Sequence, residues 1–387
     1  MAQFAYVDEA SQIKIKDADT GVEFSPSVAL GLEDAGCMWP TWSPDGRRLA
    51  YARYELESGA VRRATIYVTA PDGSQQFAVH RSDGLPVYFN WAPNGERLAV
   101  LVQRRGSLEL EIAALEGAAA PWVVARGAPL YFAWSPDSGS LLASIGGAGS
   151  GSAEGRLVWI NADDGATSPP APQIVSHLPL TGFRVPSWAP RLGGMTVGVD
   201  QGGTQVIGLV EGAEFRYLCP CGLAPALSWS PDGQNLAITA RATEDGPYEG
   251  LFIYHAPGGA VERASEVSPL AFFWCDDHRI VCITGPIGDR VVGIRVIDIV
   301  AGTESDHGHI RPSRDLLQLF GHFDQYATSA RIVSPAGDAL LLAASRAQEQ
   351  ENGSVPTVRQ ILIRPLDPSE ADQVVGRGRI AVWKPLS

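Results

Sequence analysis

Several things are scarce in this chain of 387 residues. Cysteine occurs five times, at Cys37, Cys219, Cys221, Cys275 and Cys282. An odd number at wide spacing is no disulfide framework. The one close pair, Cys219-Pro-Cys221, needs further ligands to hold a metal, and none follows nearby in sequence. Reduced, structural thiols are therefore expected. Basic residues are outnumbered, with 30 Lys and Arg against 43 Asp and Glu, for a net charge of −13. That balance lacks the positive field that non-specific binding to nucleic acid or an anionic membrane requires, so neither partner is expected. No run of eighteen apolar residues exists to form a spanning helix. The first residues lack a basic stretch followed by an apolar one, which predicts no secretory signal. A cytoplasmic location is the expectation, with export the alternative if a leader has been removed.

Local catalytic signatures are missing too. There is no G-x-S-x-G, no phosphate-binding loop and no dinucleotide fingerprint. Asp306-His307-Gly308-His309 is an H-x-H beside an acid, but no third metal ligand is identifiable. Glu244-Asp245 lacks the regular Asp spacing of a calcium loop. No metal and no cofactor are expected.

What the chain has is turn residues, 42 Gly and 28 Pro, and a hydrophobic content of 45% that can bury a large core. It also has an internal repeat. WPTWSPDGRRLAYAR from Trp39 recurs as YFNWAPNGERLAVLV, YFAWSPDSGSLLASI, VPSWAPRLGGMTVGV, ALSWSPDGQNLAITA and AFFWCDDHRIVCITG. A decayed copy, ARIVSPAGDALLLAA, starts at Ala330, and RIAVWKP ends the series. The anchors are Trp42, Trp91, Trp134, Trp188, Trp229, Trp274, Val333 and Trp383, about 48 residues apart on average. Each unit divides into four short strands, with a tight hairpin at Pro44-Asp45-Gly46 or its equivalents. A residue type that recurs in every unit is read as turn chemistry rather than catalysis. FAYVDEASQIKIKDADTGVEF supplies three strands without a first, and RIAVWKP supplies a first strand without followers. Together they predict one blade built from both chain ends, which removes a sheet edge.

The repeat resembles that of the TolB-type β-propeller family, whose signature is a W-S-P-D-G hairpin leading into an apolar strand and then an I-Y-V-type strand. Trp42-Ser43-Pro44-Asp45-Gly46 and Trp229-Ser230-Pro231-Asp232-Gly233 match it fully. The resemblance implies an all-β propeller, and the eight anchors predict eight blades over residues 1–387 as a single domain. The unit at Trp274 lacks the Pro and that at Val333 lacks the Trp, so seven blades is the alternative.

Long loops on a rigid scaffold are where function concentrates. Three residues before the anchors stand Trp39, Tyr88 and Tyr131. Arg184 and Arg379 stand four before theirs, and Arg331 stands two before Val333. This set predicts an aromatic wall and guanidiniums at a channel mouth, suited to an aromatic or amphipathic anion. The longest link, Ile310–Ala330, predicts a short helix capped by Ser313 and running through Leu319. It is followed by a polar–aromatic cluster of His322, Asp324, Gln325 and Tyr326. Two functions compete. One is a monomeric scaffold or ligand-binding propeller for an unknown small molecule or protein. The other is a small-molecule lyase or hydrolase with a composite site drawing on His177, Arg184, His322, Asp324, Tyr326 or Arg379.

Overall fold

The hairpins following the repeated tryptophans show why the chain breaks into short strands. In the computed structural model, Ser43 Oγ donates to Asp45 Oδ1 at 2.6 Å and accepts from the Arg48 amide at 2.9 Å. Ser135 with Asp137, Ser230 with Asp232 and Ser334 with Asp338 repeat this hydroxyl–carboxylate clasp. Glycines such as Gly46 and Gly233 take the positive φ that each turn needs. The Asp residues therefore shape turns, as their recurrence predicts. The structure describes residues 2–30, 35–115, 120–146, 155–162, 173–176, 179–182, 184–285, 290–347 and 357–386.

Between the turns, strands pair antiparallel into seven sheets among the described residues. Blade 1 is Ala35–Trp42, Leu49–Glu57, Ala60–Thr69 and Phe77–Ser82, and blade 2 is Leu85–Trp91, Arg97–Arg104, Ser107–Ala114 and Trp122–Gly127. Blade 3 is Leu130–Trp134, Ser140–Ile145, Arg156–Asn161 and Gln173–Ser176. Blade 4 is Ser187–Ala189, Gly194–Gln201, Thr204–Glu211 and Glu214–Pro220, and blade 5 is Leu223–Trp229, Asn235–Arg241, Leu251–His255 and Ala260–Ser265. Blade 6 is Pro269–Trp274, Arg279–Thr284, Val292–Asp298 and Thr303–Ile310.

The seventh sheet has six strands, in the order Ala339–Ala347, Thr357–Pro365, Gln373–Trp383, Gln3–Asp8, Ile13–Asp17 and Glu23–Phe24. This corrects the eight-blade expectation: the propeller has seven blades. The units anchored at Val333 and Trp383 share one strand. Gln373–Arg377 pairs with Thr357–Pro365, and Gly378–Trp383 pairs with Gln3–Asp8. The expected pairing of the two chain ends is present, with Phe4 opposite Trp383 and Val7 opposite Ile380. Glycine is required where the shared strand changes partner. A Cβ on Gly378 would stand 2.3 Å from the Val7 carbonyl oxygen.

Contacts divide the chain into two compact units. The first is Met1–Pro86, Pro286–Ile294 and Asp306–Ser387, and the second is Val87–Gly285 with Arg295–Ser305. In the second unit, cores form where blades face each other. Ile207, Leu209 and Cys219 of blade 4 pack with Leu227, Trp229 and Ile238 of blade 5. Full burial of each such aliphatic side chain contributes roughly 1.5–3 kcal/mol. The tryptophans carry hydrogen bonds across the same junctions. Trp229 Nε1 donates to Thr196 Oγ1 at 3.2 Å, and Trp274 Nε1 donates to the Ser228 carbonyl at 3.0 Å. Turns are also linked from blade to blade: Asn94 N donates to Ser138 Oγ, Arg191 Nε to the Asp232 carbonyl, and Asp232 N to Asp277 Oδ1.

Trp42, Trp91, Trp134 and Trp229 are buried, as packing residues should be. Trp188 differs, being only half-buried. Its strand, Ser187–Ala189, is only three residues long. Replacing Trp134 by Ala is expected to cost on the order of 3–5 kcal/mol in chemical denaturation, and replacing Trp188 clearly less. Equal costs would show that burial does not set the difference.

Gly378→Ala should lower the melting temperature markedly, since backbone blocks the new methyl, whereas Gly285→Ala, with open space around it, should be nearly neutral. Removing residues 379–387 should abolish cooperative unfolding, because it strips the partner of Gln3–Asp8. A truncated chain that still melts sharply would contradict the shared-strand account.

Candidate functional site

In the first unit, the expected site residues gather around the link between blade 6 and the six-stranded sheet. That link folds into α1, Arg314–Gly321, and α2, Phe323–Tyr326. Ser313 caps α1 as predicted, its Oγ accepting from the Leu316 amide at 3.0 Å. The same hydroxyl donates to the Arg379 carbonyl, tying the helix to the shared strand. Leu316, Leu319 and Phe320 bury the apolar face of α1. Asp324, Gln325 and Tyr326 are buried, while His322 is exposed.

Trp39 stacks on Tyr326, ring centroids 5.3 Å apart at 23°. A bulge makes this contact possible. The register of the first strand of blade 1 shifts between Met38 and Thr41, and Trp39 sits there with φ of 58°. A bulky residue at positive φ is strained by roughly 1–3 kcal/mol. Bulges re-aim side chains, and here the re-aimed ring lies half-exposed against Tyr326.

The guanidiniums fare differently. Arg379 Nε lies 3.6 Å from Asp315 Oδ2. Burial pushes the Asp315 carboxyl above its ordinary range, against the pull of Arg379, Arg359 and Arg314. Arg331 follows the turn in which the Ala330 amide donates to the Tyr326 carbonyl, and its own carbonyl accepts from the Trp383 amide. Its side chain is exposed, yet desolvation lowers its proton affinity. Among the described residues, no hydrogen bond or ion pair engages the Arg331 guanidinium.

Tyr88, Tyr131 and Arg184 belong to the second unit. Tyr88 is buried against Phe132, centroids 5.6 Å apart, and Tyr131 is half-buried. The Arg184 and Arg241 guanidiniums stand 5.2 and 5.0 Å from the centre of the Tyr248 ring. Neither Asp315 nor Tyr248 was expected as a partner. Asp315 is legible as a helix-start acid but not as a partner for Arg379, and no signal marks Tyr248. His177 lies outside the described residues.

No group of three or more His, Cys, Asp or Glu that could hold a metal occurs among the described residues. Burial pushes the Cys219 and Cys221 thiols up to about 11 and about 12, away from the thiolate a metal needs. Burial also lowers the His307 pKa, with Arg364 adding to it, and the Asp306 carboxylate accepts from the Gly308 amide.

The sheets and turns define an all-β propeller. A 69-residue stretch is 35% identical to the Tol-Pal system protein TolB of Alcanivorax borkumensis, covering 18% of this chain and 15% of that protein's length. No protein-family model matches. The structure of a eukaryotic initiation factor superposes with a TM-score of 0.55 at 11% identity, covering 100% of this chain and 99% of that one, a likeness of fold alone. TolB from Acinetobacter baumannii gives a TM-score of 0.43 at 13% identity over 76% of this chain and 75% of its own. No helix among the described residues is long and apolar enough to cross a membrane.

The turn carboxylates generate a pH prediction. The Ser135 hydroxyl, then the Gly139 amide, hold Asp137 below the usual carboxylate range, and Ser74 and Ser369 do the same for Asp72 and Asp367. A carboxyl whose folded pKa lies below its unfolded value, about 3.9, adds stability above that pH. The contribution is lost as pH falls through the folded value. Ser135→Ala should therefore lower the melting temperature most above about pH 4, with the gap to the parent narrowing at lower pH. A gap constant across that range would refute the linkage.

Proposed function

We propose that this protein is a binding propeller whose surface at Arg331, beside the end of α2, takes an anionic, aromatic-bearing ligand or partner segment. The observation that carries the reading is Arg331, an exposed guanidinium beside the end of α2 with no carboxylate partner among the described residues. A charge so placed gains from a ligand anion what the chain does not supply. The Trp39–Tyr326 stack, held by a strained bulge, offers a flat apolar surface in the same unit. Arg379 supports the helix through Asp315 and Ser313 rather than carrying the ligand's charge. A cytoplasmic setting belongs to the same proposal, supported by five unpaired thiols.

Isothermal titration with a panel of aromatic carboxylates and sulfonates tests this reading. At least one should bind saturably, and Arg331→Met should weaken it tenfold or more, on the order of one charge-assisted hydrogen bond, with the melting temperature almost unchanged. Trp39→Ala should weaken the same probe. Unaltered affinity in Arg331→Met, or collapse of stability instead of binding, would sink the proposal.

A further inference from the structure

A second concavity lies in the other unit, between blades 3 and 4. It encloses about 460 Å³, within the roughly 300–1,000 Å³ typical of small-ligand sites. Trp159, from the third strand of blade 3, and Trp188, from the first strand of blade 4, both line it. Both rings are half-buried and rest on the aliphatic cluster containing Leu142, Met195 and Val197. The Trp159 indole N–H donates to the Gly212 carbonyl at 2.7 Å, which fixes that ring on the facing blade. Of the other repeated first-strand tryptophans of this unit, Trp91, Trp134 and Trp229 are buried, and Trp274 is half-buried with its indole N–H bonded to the Ser228 carbonyl. Trp188 sits half-buried in a strand of only three residues.

The charge lining the groove is of one sign. Asp137 and Glu211 are present, and no Lys, Arg or His lines it among the described residues. Arg191, in the adjoining turn, is drawn away to the Asp232 carbonyl of blade 5 at 2.6 Å. Asp137 is fixed by the Ser135 hydroxyl and the Gly139 amide. The Glu211 carboxylate makes no ion pair or hydrogen bond among the described residues. One of its oxygens lies 3.9 Å from where a Cβ on Gly193 would stand, so the carboxylate leans over that glycine turn.

We propose that this groove binds an organic ammonium ion, seated against the Trp159 and Trp188 rings and countered by Glu211 and Asp137. The negative face of an indole attracts a cation most strongly when water is partly excluded, and nearby carboxylates add to the field. A neutral apolar ligand would meet the rings but gain nothing from the field of Glu211 and Asp137.

Choline and its uncharged isostere 3,3-dimethyl-1-butanol separate these cases, since they share shape and differ in charge. In titrations followed by indole ¹H–¹⁵N signals, choline should bind saturably, with a Kd on the order of millimolar, and shift the Trp159 and Trp188 resonances. The isostere should bind about tenfold more weakly or less. Glu211→Gln changes an exposed side chain and should keep the fold, yet weaken choline several-fold. Trp188→Leu should abolish binding, and Trp188→Phe should retain part of it. Equal affinity for the two probes, unchanged choline affinity in Glu211→Gln, or no saturable shift of these two indoles would overturn the proposal.

Discussion

The strand Gln373–Trp383 is the constraint on which the first unit depends. One half completes the sheet begun by Ala339–Ala347, and the other half begins the sheet continued by the N-terminal residues. A strand can serve both sides only if its backbone bonds are all used and its neighbours approach closely where the partner changes. Gly376 and Gly378 allow that approach, against the Tyr6 ring and the Val7 carbonyl. Lys384 then extends the seam, its amide bonded to the Gln3 carbonyl and its ammonium to Gln3 Oε1. Pairing residues so far apart in sequence carries a loop-closure cost, but that cost grows only slowly with length. Both ends also lose the exposed edges that would otherwise invite pairing with another chain.

What repeats in this molecule is structural, and what interrupts the repeat is where ligands are proposed to sit. The Ser–Asp clasp recurs because the turn needs it. In blade 4, whose turn reads Ala189-Pro190-Arg191, the first strand has only three residues and Trp188 is half-buried. Where blade 1 inserts a bulge, Trp39 leaves the strand to stack on Tyr326. Where the link after blade 6 lengthens, it folds into two helices whose end stands beside Arg331. Each interruption trades some local stability for an accessible aromatic ring or charge.

This pattern also decides what could be read from the sequence. The clasp, the Ser313 cap and the pairing of chain ends rest on short-range chemistry or on repeat spacing, and all are visible as residue types at fixed offsets. The fusion of two repeat units into one sheet is not, because spacing counts anchors while hydrogen bonding counts strands. Arg379 looked like a ligand contact because its charge is visible and its partner is not. Asp315 lies 64 positions away and meets it only through the docking of α1. The groove at Trp159 and Trp188 was hidden for a similar reason, since its two rings sit on different blades and in different strand positions.

The net charge of −13 bears on both proposed sites. An acidic molecule repels anions and attracts cations out to about a Debye length, about 8 Å at physiological ionic strength, beyond which salt screens the field. A ligand for Arg331 must therefore be held by short-range contacts, the guanidinium and the stacked rings, because the long-range field opposes its approach. Salt should relieve that opposition while also weakening the contact to the exposed guanidinium, so the two effects partly cancel. In the groove between blades 3 and 4 the local carboxylates and the overall field act in the same direction. Salt then weakens binding through both, and the residual affinity at high salt measures what the indole rings contribute alone.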